Sequence, residues 1–172
     1  MKSSKIRLSG VIKNSLANGE GMRYVIFFQG CSHQCSGCHN QETWNSFEGF
    51  SGEVADIKQD ILKHQFILTG ITLSGGEPFE QPFVAEDLAL FAHSLGLNVW
   101  AYTGYLYEDL KNQVALTEYR RQQQHLLGHI DVLVDGPFIE KLKDDTLKWR
   151  GSSNQRVLRL SALSSIEKID HL

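Results

Sequence analysis

The chain has 172 residues, of which 41% are hydrophobic and 22% charged, and its net charge is −3 at pH 7. This size and composition are typical of one globular domain, so residues 1–172 are taken as a single domain. No long run of one charge sign occurs, and the sequence therefore predicts neither a nucleic-acid surface nor a membrane partner.

Export and membrane insertion are not predicted either. Purely apolar runs such as residues 25–28 are far shorter than a transmembrane helix. The first ten residues, MKSSKIRLSG, lack the apolar core of a secretory signal. The expected location is therefore the cytoplasm.

The hydrophobic pattern predicts strands and helices in alternation, because runs of β-branched and aromatic residues alternate with apolar residues at helical spacing. In chain order the predicted elements are a candidate edge strand at 6–12, a strand at 24–29, a helix at 52–64, a strand at 70–76, a helix at 84–95, a strand at 98–104, a polar region of helical character at 106–127, a strand at 130–137 and a candidate fifth strand at 156–160. No internal repeat or linker interrupts this order.

Strand–helix–strand alternation predicts parallel strands joined by right-handed crossovers. A complete eight-unit barrel typically needs about 250 residues, which is more than this chain has. The expected fold is an α/β fold, a partial and open (βα) barrel with mostly parallel strands.

Polar, glycine-rich segments follow each of the four central predicted strands. They are a cysteine-containing loop, SGGEP (74–78), YTGY (102–105) and DGP (135–137). The carboxyl ends of parallel strands meet at one edge of a sheet, where α/β folds bind their ligands. We therefore expect these segments to surround a common site.

The chain's three cysteines, Cys31, Cys35 and Cys38, all lie within eight residues in the spacing C-x3-C-x2-C. This spacing is too tight for a disulfide framework and predicts a metal or redox site. One hypothesis is a zinc site completed by His33 or His39, although closed zinc sites usually use two separated pairs of ligands. The other is an iron–sulfur cluster with one iron left open.

The C-x3-C-x2-C loop followed by Gly-Gly-Glu-Pro after the next strand resembles the signature of radical S-adenosylmethionine (SAM) enzymes. Residues 18–40, NGEGMRYVIFFQGCSHQCSGCHN, are similar to the N-terminal segment of glycyl-radical-enzyme activases. NVWAYTGYLYEDL, IDVLVDGPF and LKWRGSSNQRV resemble the activating proteins of anaerobic ribonucleoside-triphosphate reductases. Gly37 and His39 depart from the pattern, since relatives often have aromatic residues there.

The resemblance implies that each of the three cysteines binds one iron of a 4Fe–4S cluster, whose fourth iron is chelated by the amino and carboxylate groups of SAM. It implies that Gly75 and Gly76 let the backbone approach this cosubstrate and that Glu77 contacts its cationic part. The remaining residues expected to line the SAM pocket are Gly37, Cys38 and His39.

The implied reaction is reductive cleavage of SAM to a 5′-deoxyadenosyl radical, which abstracts hydrogen from a glycine of the reductase. The cofactor carries this chemistry, so no general acid or base is predicted. The implied partners are an anaerobic ribonucleoside-triphosphate reductase and an electron donor such as flavodoxin.

Two other functions stay open at this point. The chain could be another radical SAM enzyme, either an activase of a different glycyl-radical enzyme or an enzyme acting on a small molecule, or it could be a non-catalytic zinc-binding module. The sequence also leaves open whether Trp149–Gln155 contacts the reductase, contacts the cofactor or packs as a turn. Trp44 is predicted to be a core or interface aromatic residue.

Overall fold

The computed structural model describes residues 4–112, 114, 117–160 and 166–168. Their centre is an eight-stranded sheet. In chain order its strands are β1 (Lys5–Ser15), β2 (Arg23–Phe28), β3 (Phe50–Glu53), β4 (Gly70–Gly75), β5 (Asn98–Tyr102), β6 (Val132–Asp135), β7 (Arg156–Leu160) and β8 (Ile166–Lys168).

The strands lie in the order β3-β1-β2-β4-β5-β6-β7-β8, and the sheet is open because its two end strands do not pair with each other. β2, β4, β5 and β6 pair in parallel, whereas the outer pairings are antiparallel. This confirms the predicted α/β class with an open sheet, and the parallel strands form its middle. The candidate edge strand is β1, but it lies one position inside the edge, since β3 pairs along its outer side.

The helices cover one face of the sheet. They are α1 (Val54–His64), α2 (Pro82–Ser94), α3 (Tyr107–Lys111) and α4 (Glu118–Leu127). The region predicted to be helical at 106–127 is thus two helices, and α4 begins where the Thr117 side chain accepts a hydrogen bond from the Arg120 backbone N–H. None of the described helices is long and apolar enough to cross a membrane.

Successive residues of each central strand point to opposite faces of the sheet. Ile71 and Leu73 of β4 are fully buried in the larger apolar core, which includes Leu88 of α2. Trp100 of β5 and Val134 of β6 belong to a smaller apolar cluster that includes no helical residue. The sheet therefore has a helix-covered face and a concave face that carries the polar residues of the site.

The concave face holds a fully buried arginine, Arg23, at the start of β2. Its Nε atom donates to the hydroxyl of Thr72 at 2.6 Å, and its Nη1 atom donates to Asn98 Oδ1 at 2.8 Å and to the Glu20 carbonyl at 3.0 Å. The guanidinium also lies over the Trp100 ring, 5.4 Å from the ring centre. Burial lowers the pKa of Arg23 to about 10, and uncharged acceptors provide its hydrogen bonds.

We expect Arg23→Lys to destabilise the protein, because an ammonium group cannot reproduce this planar set of donors and leaves buried acceptors unpaired. A loss of about 2–4 kcal/mol in the free energy of unfolding follows if one or two acceptors become unsatisfied. Urea denaturation of the apoprotein measures it. Arg121→Lys is the matched control, since Arg121 forms an exposed ion pair with Glu118 and its replacement should change the free energy by less than about 1 kcal/mol. Equal effects of the two substitutions would contradict this account of Arg23.

Candidate active site

The cysteine loop leaves the sheet at the end of β2 and is held by backbone hydrogen bonds. The Gly30 and Cys31 N–H groups donate to the carbonyls of Thr43 and Trp44 at 2.7 and 3.1 Å. The Cys38 N–H donates to the Cys35 carbonyl at 3.0 Å, which closes a tight turn between these two cysteines. These hydrogen bonds fix the path of the loop.

All three cysteines are free thiols, and all three line one cavity of about 140 Å³ at the carboxyl ends of β2, β4 and β5. Burial raises the pKa of Cys31 to about 12. That thiol is therefore protonated in the apoprotein, and a metal must displace its proton to bind. The polar segments that follow β4 and β5 also line this cavity, through residues that include Gly75, Gly76 and Gly104.

A second cavity of about 490 Å³ adjoins the first along the concave face. The two share walls formed by Cys38, Asn40, Ser74, Tyr102, Phe138 and Gln155. The larger cavity adds Trp149, Arg150 and His39, and its walls are mostly apolar. The site can therefore hold a ligand that extends well beyond the three thiols.

Four of the six residues predicted for the SAM pocket line these cavities: Cys38, His39, Gly75 and Gly76. Gly37 lines neither, because the Glu140 side chain packs where its Cβ would lie.

Gly75 and Gly76 have a constraint within the protein itself, beside the predicted approach to a cosubstrate, which stays a prediction. Gly75 has a φ of +89°, and a Cβ there would lie 2.6 Å from the Cα of Phe27. A Cβ on Gly76 would lie closer than 3.0 Å to the Gly30 carbonyl oxygen. The close approach is thus between two parts of the protein backbone, and it sets the distance between the Gly-Gly-Glu-Pro segment and the cysteine loop.

Glu77 lines neither cavity, and its side chain is fully buried. Its carboxylate accepts hydrogen bonds from the Thr103 hydroxyl at 3.0 Å and from the backbone N–H groups of Gly104 and Phe79 at 2.9 and 3.0 Å. Its Oε2 atom also lies 3.0 Å from His33 Nε2, and the hydrogen bond to Glu77 raises the pKa of His33. The carboxylate therefore links the three segments that follow β2, β4 and β5.

The sequence did not predict that His33 and Thr103 contact Glu77. The YTGY segment that contains Thr103 was predicted to lie at the site because it is polar and contains glycine. Trp44 differs from prediction in another way. It lines the cysteine cavity, and its indole Nε1 atom is buried without a hydrogen-bond partner among the residues that the structure describes.

The structure bears on one of the three roles predicted for the WRGSSNQ segment, its packing as a turn. The Gln155 side chain accepts from the N–H groups of Gly151 and Ser152 and donates to the Gly136 carbonyl, while Asn154 donates to the Pro137 carbonyl. These residues pack as a turn against the DGP loop. Trp149, Arg150 and Gly151 also line the larger cavity.

The donor set fits a 4Fe–4S cluster better than one zinc ion. His33 is bonded to Glu77, and His39 lines only the larger cavity, so neither histidine lies free beside the three cysteines to complete a zinc site. Three soft thiolates around one cavity match a cluster in which each thiolate binds a different iron.

The chain is similar in sequence to a known protein family and to several named proteins. A family described as "4Fe-4S single cluster domain" matches residues 17–158. The anaerobic ribonucleoside-triphosphate reductase-activating proteins of Salmonella typhi and Escherichia coli K12 are 40% and 39% identical over 152 residues, which cover 84% of this chain and 93% of each relative. The protein of that name from Enterobacteria phage T4 is 34% identical over 147 residues, 81% of this chain and 85% of the relative. Among solved structures, Escherichia coli QueE matches with a TM-score of 0.47 and 15% identity over 58% of this chain and 53% of that one.

We expect Gly76→Ala to destabilise the apoprotein by about 1–3 kcal/mol, because the added methyl group must displace the Gly30 carbonyl. Urea denaturation without cofactor measures this change in the free energy of unfolding. Gly10→Ala is the matched control, since nothing lies within 4 Å of its Cβ, and it should equal the parent within about 0.5 kcal/mol. If the Gly76→Ala apoprotein is as stable as the parent, the glycine serves the cofactor alone and the backbone explanation is wrong.

Proposed function

The chain belongs to the family of anaerobic ribonucleoside-triphosphate reductase-activating proteins, and from this we infer that it activates such a reductase by generating a radical on one of its glycines. One observation carries the proposal: all the cysteines of the chain line a single cavity at the carboxyl ends of the parallel strands. That is the position in which α/β folds place reactive ligands. The family match covers residues 17–158, which include both the cysteine loop and the WRGSSNQ segment.

In this proposal Cys31, Cys35 and Cys38 hold a 4Fe–4S cluster as thiolates, one iron each, and leave one iron for SAM. The chemistry that the bound cluster and SAM supply is reductive cleavage to methionine and a 5′-deoxyadenosyl radical, which takes a hydrogen atom from the glycine. The protein itself binds, orients and shields the reactants. Its thiols have no substitutes, since the sequence contains no other cysteine.

The proposed SAM pocket extends from the cysteine cavity into the larger cavity beside it. Cys38, Gly75 and Gly76 lie on the side of the cluster loop, and His39 lies on the side of the larger cavity. Its ring contacts the Phe138 ring edge-on, with 5.8 Å between the ring centres. These aromatic groups would exclude water from a reactive ligand, which limits side reactions. Gly37 contributes by shaping the turn between Cys35 and Cys38, where its φ is +73°.

The open sheet suits a protein substrate. A glycine within a large partner must reach the cavity as part of a peptide segment, and a closed barrel would hinder that approach. The larger cavity, with Trp149 and Arg150 in its wall, is the proposed place for that segment. A mostly apolar wall with a few polar groups can bind a backbone segment without requiring one particular side chain.

The proposal also includes an electron donor, a cellular location and a domain assignment. Flavodoxin is the proposed electron donor, and the cytoplasm is the proposed location, which agrees with three free thiols in one loop. Residues 1–172 are proposed to act as one radical SAM domain, because the sheet runs from Lys5 to Lys168 as one unit. Oxygen should destroy an open cluster, so the system belongs to anaerobic growth.

Replacing any one of Cys31, Cys35 or Cys38 by Ala should abolish the cluster and all SAM cleavage, because each thiolate binds a separate iron. Iron and sulfide content and visible absorbance after anaerobic reconstitution measure the cluster, and methionine release measures cleavage. Ser36→Ala is the control in the same loop, since Ser36 is exposed and its hydroxyl donates to Glu140, so this variant should retain both the cluster and the cleavage. A cysteine variant that cleaves SAM at the parent rate contradicts the assignment. Zinc in place of iron in the parent would favour the zinc-binding module.

The reductase as target is tested by mixing both proteins anaerobically with SAM and a low-potential reductant. We expect an organic radical signal on the reductase by electron paramagnetic resonance. Deuterated glycine in the reductase should collapse the main hyperfine doublet, because the remaining α-hydrogen produces it. If SAM is cleaved without a signal on the reductase while another protein or a small molecule is modified, the chain is a different radical SAM enzyme.

A further inference from the structure

We propose that Glu77 is a positioning residue, which holds the cysteine loop through His33 and does not bind SAM directly. The inference goes beyond the proposed function, although it rests on the role given there to the three cysteines. Glu77 then holds the cysteine loop in position, a role that no local sequence pattern indicates.

The first support is that the carboxylate has no free capacity. The two oxygens of a carboxylate accept about four hydrogen bonds in all. In this protein Oε1 receives the Phe79 N–H and faces the Thr103 hydroxyl, while Oε2 receives the Gly104 N–H and faces both His33 Nε2 and that same hydroxyl. A cationic ligand would have to break one of these contacts to bind Glu77.

The second support is the position of His33. It lies between Cys31 and Cys35 in the chain, so fixing its ring fixes the part of the loop that carries both thiols. The ring packs edge-on against the Tyr105 ring, with 4.5 Å between the centres. A Cβ on Gly104 would lie closer than 3.0 Å to it. The ring is therefore enclosed by the Glu77 carboxylate, an aromatic edge and bare backbone.

The third support is that these contacts cross the site. His33 belongs to the loop after β2, Glu77 to the segment after β4, and Thr103 and Gly104 to the loop after β5. The Glu77 backbone N–H also donates to the Gly30 carbonyl at 2.8 Å. Glu77 thus joins the three loops around the cysteine cavity, and moving it would move the thiols relative to the glycine wall.

The outcome of substitution follows from this geometry. In Glu77→Gln one oxygen becomes an NH₂ group, which faces either the Phe79 N–H or both His33 and the Gly104 N–H, so at least one donor around the carboxylate loses its acceptor. His33→Ala removes the contact with Glu77 from the other side. Loss of a residue that orients metal ligands typically lowers metal affinity about 10- to 100-fold.

The experiment compares Glu77→Gln, His33→Ala and the double variant after anaerobic reconstitution. The readouts are the rate of iron loss to a chelator, the electron paramagnetic resonance spectrum of the reduced cluster without SAM, and the SAM concentration that half-converts that spectrum. We expect each single variant to lose iron at least about tenfold faster with an altered spectrum. The double variant should be no worse than the singles, because both break one link, and SAM affinity per intact cluster should stay within about twofold of the parent.

Two further variants separate positioning from general destabilisation. Glu86→Gln removes a buried carboxylate of α2 that is bonded to Gln122 away from the mouth, and it should leave iron loss and the spectrum unchanged. His33→Gln keeps a side-chain N–H for Glu77 and should restore part of the iron retention. Iron loss as fast in Glu86→Gln as in Glu77→Gln would overturn the positioning role.

Two other outcomes would also overturn it. One is weaker SAM binding in Glu77→Gln with normal iron retention and no effect of His33→Ala, which would make Glu77 a SAM ligand. The other is unchanged iron loss in both single variants. A parent protein that forms no cluster would instead refute the proposed function, so the two failures are distinguishable.

Discussion

The site depends on one buried carboxylate that brings together groups distant in the sequence. A carboxylate taken out of water is costly unless donors surround it, and Glu77 is surrounded by five close contacts from three loops. The requirement works in both directions. The loops provide the hydrogen-bond donors that the carboxylate needs, and the carboxylate fixes the distances between the loops. The thiols therefore keep a defined position at the edge of the open sheet.

The parallel sheet makes this meeting geometrically simple. Phe28 pairs with Gly75 at the ends of β2 and β4, so the cysteine loop and the Gly-Gly-Glu-Pro segment start side by side. β5 pairs with β4 in the same direction and delivers Thr103 to the same edge. At the opposite end of β2, the buried guanidinium of Arg23 joins β2, β4 and β5 through Thr72 and Asn98. Two buried charged groups thus secure both ends of the strands that carry the site.

Much of this architecture could be predicted from the sequence. The four central strands and the cluster of thiols were predictable because short runs of β-branched and aromatic residues and cysteine spacing are local signals. β3 was not predicted, since its four residues FSGE show no strong alternation and owe their conformation to pairing with β1. The region at 106–127 was predicted as one helical stretch, and only the Thr117 cap marks the start of the second helix. The tail beyond residue 160 gave no usable resemblance, and most of it lies outside the described residues.

The site was predictable in position but not in detail. Gly76 was expected to make room for a ligand, yet its constraint comes from a carbonyl 46 residues earlier in the chain. The direction of the Glu77 side chain is set by His33 and Thr103, which no local pattern connects to it. Trp44 was predicted to be a core or interface aromatic, and only the fold places this residue in the wall of the cysteine cavity. Such contacts depend on tertiary placement, which spacing along the chain does not encode.

In the proposed function three thiolates hold a cluster of four irons and leave one iron for SAM. Mössbauer spectroscopy of protein reconstituted with ⁵⁷Fe, recorded with and without SAM, tests it most directly. The account predicts four irons per chain, of which a single site changes its spectrum when SAM is added while the other three do not. Four irons that all remain unchanged on adding SAM, or a site filled by one zinc ion, would contradict it.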